Sequence, residues 1–372
     1  MKISARKVRY FRQARAGLVE PFETQEEAAR QLAGIQAQIL PAAAISLYNR
    51  TQGLTYEAFL DQLHKERSLI KMWGQRGTLH LYPSSDWPIV HSALSGRKTW
   101  WERKIIQKGG DLKAFHRAID DIESYLRTHK TITRSELRDS EIELEDFLMS
   151  SWGGIFHELT RRGITCHAGT EGNEARFAHR EHWLPHLEWA PPAKKDANID
   201  IAKRYFRNYG PSTIRDLAYW RGATLKDTKI WVEAFKDDLV EVEVDGETLL
   251  LFEDDLDELR ARPPEKESWP THMLYRFDPH LLAHKDKTWL VPQKHYNQVW
   301  RPAGHIEGCV LEHGRLCGTW RYDRTKNGLL VTAYPFTRFS KETKERLEEL
   351  APRFATFFGV PFDDLLIKRY EG

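Results

Sequence analysis

A chain of 372 residues is too long for one compact core and predicts roughly two to four domains, while 30% charged and 12% aromatic side chains, 13 Trp among them, exclude a disordered or fibrous protein. The net charge of +2 hides an asymmetry: residues 1–110 hold 17 Lys and Arg against 9 Asp and Glu, whereas 236–258 set Lys236 against eleven acids, so a polyanion is expected on the N-terminal side. Cys166, Cys309 and Cys317 form no CxxC pair, residues 1–10 lack the apolar stretch of a signal peptide, and no run of 18 apolar residues occurs, so reduced thiols, a cytoplasmic location and no membrane partner are expected.

Along the chain, apolar periodicity predicts a helix over 4–19. Thr24 with Glu27 has capping-box spacing and opens an amphipathic segment over 24–40; a helix over 55–64 and strands over 68–73 and 78–82 follow. Three helices and a two-stranded wing make a winged-helix unit. The same grammar recurs where 125–137 (YLRTHKTITRSEL) aligns without gaps on 205–217 (YFRNYGPSTIRDL). Both pieces carry a Thr followed three residues on by an acid, Thr133 with Glu136 and Thr213 with Asp216. A helix over 143–162 leads into strands over 164–179, and a helix over 224–238 leads into 239–252, where Asp245-Gly246 signals a tight hairpin. Three tandem winged-helix units are therefore expected at 1–110, 111–194 and 195–262.

After Pro263 and Pro264 the pattern turns to short strands, over 272–277, 288–291, 305–311, 315–322 and 328–334. A closing helix over 340–359 places Leu347, Leu350, Phe354 and Phe358 on one stripe. The expected fold class is α+β, with residues 263–372 forming a small β-barrel or sheet capped by a helix.

Among candidate chemistry, Gln36 and Gln38 stand out, since an amide donates and accepts hydrogen bonds at once and can hold a water without acting as a base. In a regular helix they point about 200° apart, so Pro41 is expected to end the helix near Gln38 and let the two amides converge. In the first wing, Arg76, Thr78 and His80 alternate and are expected to share a face toward DNA. Lys71, Arg97, Lys98, Arg103 and Lys104 are candidate phosphate contacts, each steepening the salt dependence by roughly 0.9 in log-log slope. His179 with His182 and His280 with His284 have metal-compatible spacing but no evident third ligand, and phosphate-loop, dinucleotide and zinc-protease motifs are missing, so no metal or cofactor is expected.

GIQAQ at 34–38, RGTLHL at 76–81, YGPSTIRDLAYW at 209–220, RFDPHLLAHKD at 276–286 and GTWR at 318–321 together resemble the AlkZ/YcaQ-type winged-helix DNA glycosylases, in the Gln-x-Gln branch, over nearly the whole chain. The resemblance implies three winged-helix units and a barrel-like region around a C-shaped DNA channel, with Gln36 and Gln38 catalytic. It implies hydrolysis of the N-glycosidic bond of alkylated purines, including unhooking of interstrand crosslinks, by a monomer acting on double-stranded DNA. Arg50, Thr213, Arg215 and Arg221 are further DNA-contact candidates. Asp278 and Arg321 fall in these strings and Arg301 in another family-like stretch; a buried structural ion pair explains all three at least as well as a role in the reaction, and none is assigned a catalytic role. Two alternatives stay open: a non-catalytic winged-helix regulator or architectural protein, and a nuclease or lyase that works through a Lys or His on the same scaffold.

Overall fold

The computed structural model describes residues 1–96, 99–150 and 153–369. The chain divides into two compact units, one made of Met1–Phe59 with Ile199–Gly372 and the other of Leu60–Asn198.

In the first unit, helix Ala5–Arg15 starts where Ser4 caps the Lys7 N–H, and buries Val8 and Phe11 against Val242, Leu249 and Leu251. Those three belong to the antiparallel hairpin Leu239–Val244 and Glu247–Phe252. Its turn holds Asp245 and Gly246 at φ 50° and 85°, the positive values for which the Asp-Gly pair is suited. The expected cap at Thr213 is a full capping box opening helix Ile214–Arg221: Thr213 Oγ1 accepts from Asp216 N (3.1 Å) while Asp216 Oδ2 accepts from Thr213 N (3.0 Å). Helix Leu225–Glu233 follows.

The C-terminal strands form an open sheet in the order Phe362–Ile367, Gly328–Pro335, Arg315–Thr325, Gly308–Glu312, His272–Leu274, antiparallel except for its first pair. Of the two expected forms, the sheet is correct and the closed barrel is not: among the described residues its two edge strands do not pair. The strand expected at 288–291 is a turn instead, because Leu290 N and Val291 N both bond back to Lys287 O (2.9 and 3.0 Å). Helix Lys341–Phe358 runs from the Ser340 cap to Gly359, whose φ of 66° ends it. Its buried stripe is Leu347, Ala351, Phe354 and Phe358, with Leu350 half-buried at the edge. Phe354 packs at 4.9 Å on Trp320 and Phe358 at 5.2 Å on Tyr322.

In the second unit, an antiparallel sheet runs Leu79–Pro83, Leu69–Trp73, Thr165–Glu171, Glu174–His179, Thr131–Thr133. The long helix Leu112–His129 places Phe115, Ile119, Ile122 and Leu126 on one side, at the i, i+3, i+4 spacing that turns a single stripe inward. Thr133 and Glu136 form the second full capping box, opening helix Arg134–Arg138. The helix expected over 143–162 is shorter, Gly154–Arg161, preceded by a single turn at Asp146–Met149. Gly154 explains the late start: its φ is 52° and an added Cβ would lie 1.9 Å from Leu148 O, a crossing only glycine permits. Helix, capped helix, helix and hairpin thus follow in order at residues 112–179 and again at 194–252.

Candidate functional site

Gln36 and Gln38 lie outside any helix. Helix Gln25–Gln31 stops far earlier than expected, through a Schellman closure: Gly34 N bonds Ala29 O (2.9 Å), Ala33 N bonds Arg30 O (3.0 Å), and Ala33 takes the left-handed φ of 51°. Pro41 is therefore not the stop that sequence reasoning made it. It occupies the first turn of the next helix, Leu40–Tyr48, where its missing N–H costs nothing. Between the two helices runs a non-helical connection, a short strand at Ile35–Gln36 followed by a bend at Gln38 and Ile39, the latter at φ −115° and ψ 106°. Because neither glutamine is helical, the divergence of about 200° that a helix would impose does not apply to the pair. Gln36 is 8% exposed, Ala37 between the pair is fully buried, and Gln38 is exposed.

Both flanks of this connection are braced within the same unit. On the N-terminal side Tyr209 Oη donates to Leu32 O (2.9 Å) and Asn208 Nδ2 to Gln31 Oε1 (3.4 Å). On the C-terminal side Arg50, just beyond helix Leu40–Tyr48, is wholly buried. It gives Asp278 two hydrogen bonds (2.8 and 2.7 Å), and donates to Ala16 O and Ser46 O (2.8 Å each). Ser46 Oγ adds a third bond to Asp278 (3.1 Å). Burial by itself pushes the Asp278 carboxyl up; the Arg50 charge and these bonds outweigh it and hold the group below its ordinary value. Arg50 is thus not a DNA contact in this structure, because its donors are committed to a buried ion pair. Glu307, which sequence reasoning missed, is buried and pairs with Arg321 (2.6 Å) and Arg301 (3.3 Å), whose side chains stay 41% and 31% exposed.

The other candidates divide by exposure. Arg76 does not alternate with Thr78 and His80, since it sits in the turn Gln75–Gly77 at φ 57°, half-exposed. His80 is 1% exposed, opposite Met72 in the hairpin, with Nδ1 at 2.9 Å from Thr78 O and its ring stacked on Tyr82. That hairpin is covered on the His80 face by a core containing Ile70, Met72, Tyr82 and Trp87, so the expected DNA contact fails by burial. Lys71 points to the opposite face, half-buried, and desolvation lowers its ammonium below the ordinary value. Thr78 is half-buried and donates to Gln75 O (3.2 Å). Arg221 is 6% exposed and so is also withdrawn from DNA, whereas Arg215 is exposed. Thr213 spends its hydroxyl proton on Asp216 (2.7 Å) within the cap. Arg97 and Lys98 lie outside the described residues.

In each histidine pair one ring nitrogen meets a backbone carbonyl. His284 Nε2 meets Tyr209 O (2.9 Å), and His182 Nε2 meets Arg127 O (2.8 Å). His280 is driven by burial down to about 3. No group of three or more His, Cys, Asp or Glu poised for a metal occurs among the described residues.

Comparison with known proteins bears on the family and the fold. The profile of the DNA glycosylase AlkZ-like family matches residues 29–357. An interstrand DNA cross-link repair glycosylase of Streptomyces sahachiroi is 28% identical over 355 residues, covering 91% of this chain and 92% of that protein. The solved structure of Streptomyces sahachiroi DNA glycosylase AlkZ superposes with a TM-score of 0.84 at 26% identity, over 99% of this chain and 100% of that one. The family model, matching most of the chain, places this protein in the AlkZ-like DNA glycosylase family.

Proposed function

We propose that the enzyme hydrolyses the N-glycosidic bond of purines alkylated at N7 or N3, interstrand crosslinks among them, with Gln36 and Gln38 holding the attacking water. The observation that carries this reading is the non-helical connection itself: it spares the two amides the divergence that a helix would impose, with Gln36 withdrawn into the protein and Gln38 open to solvent. An alkylated purine is cationic, so as the C1′–N bond breaks the electron pair neutralises the departing base and no strong acid is needed. Water adds to C1′ and its proton passes to solvent. Amides supply orientation without a charge to steady the sugar cation, which limits the enzyme to bases that already leave readily. The relative from Streptomyces sahachiroi, named for cross-link repair, supports crosslinks as substrates.

On the same reading the chain comprises winged-helix units at 1–110, 111–194 and 195–262 and a β-rich part at 263–372, with Lys71, Arg76, Thr78 and Arg215 on DNA. The repeated order of helix, capped helix, helix and hairpin supports the second and third units. It works as a monomer on double-stranded DNA in the cytoplasm, without a cofactor; all three thiols being free, with Cys166 and Cys309 buried, supports a reducing compartment. The test is base release from DNA carrying N7-methylguanine or a nitrogen-mustard crosslink, by the wild type and by the Gln36→Ala, Gln38→Ala double variant. Lesion-dependent abasic product from the wild type alone is expected; equal product from both proteins would move the active site elsewhere.

A further inference from the structure

In the second unit, helix Trp100–Gln107 opens under a complete capping box in which Thr99 Oγ1 accepts from Glu102 N (3.0 Å) and Glu102 Oε2 from Thr99 N (2.7 Å). The cap fixes the first residue of the helix, Trp100, whose indole is nevertheless 52% exposed while Trp101 beside it is 6% exposed. The two rings meet edge to face at 4.5 Å. A lone exposed aromatic needs no explanation, but this one borders a cavity of about 510 Å³ lined by Gly77, Trp100, Trp101, Lys104, Ser150 and His157. That volume falls within the range of roughly 300–1,000 Å³ usual for small-molecule sites.

The lining has a consistent chemistry. Lys104 Nζ stands 4.5 Å from the Trp100 ring and 4.7 Å from Phe147, and Lys108 Nζ stands 4.6 Å from Phe147. The one acid of this helix, Glu102, turns its carboxylate to the Thr99 N–H of the cap. His157 is kept neutral, because burial and then the Arg161 charge lower it to about 4, and among the described residues its Nδ1 has no hydrogen-bond partner. A ring to stack on, an ammonium at the rim and neutral polar groups inside are what a nucleotide asks for: the base offers a π-face and an edge, the backbone offers the negative charge. None of these residues belongs to the segment that carries the two amides.

We propose that this cavity receives an unpaired nucleobase of the bound DNA, stacked on Trp100, with the adjoining phosphate held by Lys104. The proposal rests on the glycosylase reading only in taking DNA as the ligand. Stacking of one base on one aromatic side chain is worth about 1–3 kcal/mol, and a tenfold change in affinity corresponds to about 1.4 kcal/mol.

The full-length protein is titrated with an undamaged duplex and with the same duplex carrying a single bulged 2-aminopurine. Wild type is expected to bind the bulged duplex more tightly and to quench its fluorescence. Trp100→Ala should lose about tenfold on the bulged duplex, under twofold on the intact one, and most of the quenching; Trp100→Phe should retain much of each. Lys104→Gln should weaken the bulged complex and lower its salt slope by roughly 0.9. Unchanged melting of each variant shows that the fold is kept. Equal affinity of wild type and Trp100→Ala for the bulged duplex, or an equal loss on both duplexes, overturns the proposal. Neither duplex contains a lesion, so that outcome leaves the hydrolytic reading standing, and failure of lesion release would leave this one standing.

Discussion

The stretch from Leu32 to Arg50 in one unit and the stretch from Lys71 to Lys108 in the other use charge in opposite ways. In the first, polar groups are spent on architecture: Tyr209 ties Leu32, and Arg50 is locked on Asp278, Ala16 and Ser46, both ends of the ion pair having 0% side-chain exposure. In the second, the described cations are exposed or half-buried, as with Arg76 in its turn and Lys104 over the Trp100 ring. A reaction that depends on aiming one water needs a connection that does not move, and buried ion pairs and short hydrogen bonds provide that rigidity. Recognition of a polyanion needs charges that can reach it.

The contrast can be broken most severely at Arg50. Arg50→Ala strands the Asp278 carboxylate without its partner in the interior, and should cost about 3–5 kcal/mol in urea-induced unfolding, with activity lost in step with the folded fraction. A loss under 1 kcal/mol would mean that the pair braces nothing.

Acid offers a second probe of the buried side. His280 titrates at about 3 in the native protein, whereas an unfolded histidine takes its proton near 6.5. Below about 6.5 the unfolded chain binds a proton that the native state refuses, so stability falls as pH drops toward about 3. By pH 5 the contribution is about 2 kcal/mol relative to neutral solution. His157, His272, His167 and His284 are depressed by burial as well and add to the same slope, so His280→Gln should make that part of the profile shallower by the share of one group, and an unaltered slope would show that His280 contributes nothing to it. Asp278 works in the same sense at lower pH. Its depressed carboxyl stabilises the fold above the ordinary carboxylate range, and that stabilisation is lost only as pH falls through the lower native value.

On the exposed side the effects are smaller. Arg76→Ala should weaken binding to any duplex by up to about tenfold and lower the salt slope by roughly 0.9, without changing the melting temperature. Smaller still is Glu241→Gln, an exposed position on the acidic hairpin Leu239–Val244 and Glu247–Phe252, where DNA affinity should shift less than twofold. A large change there would place nucleic acid on that hairpin after all.

Local signals carried the fold well. Thr133 with Glu136, Thr213 with Asp216, Asp245-Gly246, and Ser340 with Gly359 each specify a terminus or turn through bonds made within a few residues, and each is realised. Long-range pairing was not legible: Phe362–Ile367 lacks strand-like alternation, yet joins the sheet in parallel with Gly328–Pro335. The helix end at residue 31 was hidden because the left-handed position is filled by Ala33, with the glycine one residue later, and Pro41 reads equally as a stop or a start. The motif's two glutamines could be picked out from their chemistry, but not their exposure. Arg50 and His80 show the limit most plainly. A cation and an imidazole suit DNA in sequence, and only the position of Asp278, 228 residues away from Arg50, and the core beneath His80 reveal that both are enclosed.

The most direct measurement is single-turnover release of N7-methylguanine by wild type, Gln36→Ala and Gln38→Ala under conditions that saturate DNA binding. Removing one well-aimed polar group from such a site costs about a hundredfold to a thousandfold in rate. Each variant should therefore slow by about that much while melting and DNA affinity stay near those of the wild type. Wild-type rates in both, with unchanged affinity, would contradict the assignment of the reaction to this pair of amides.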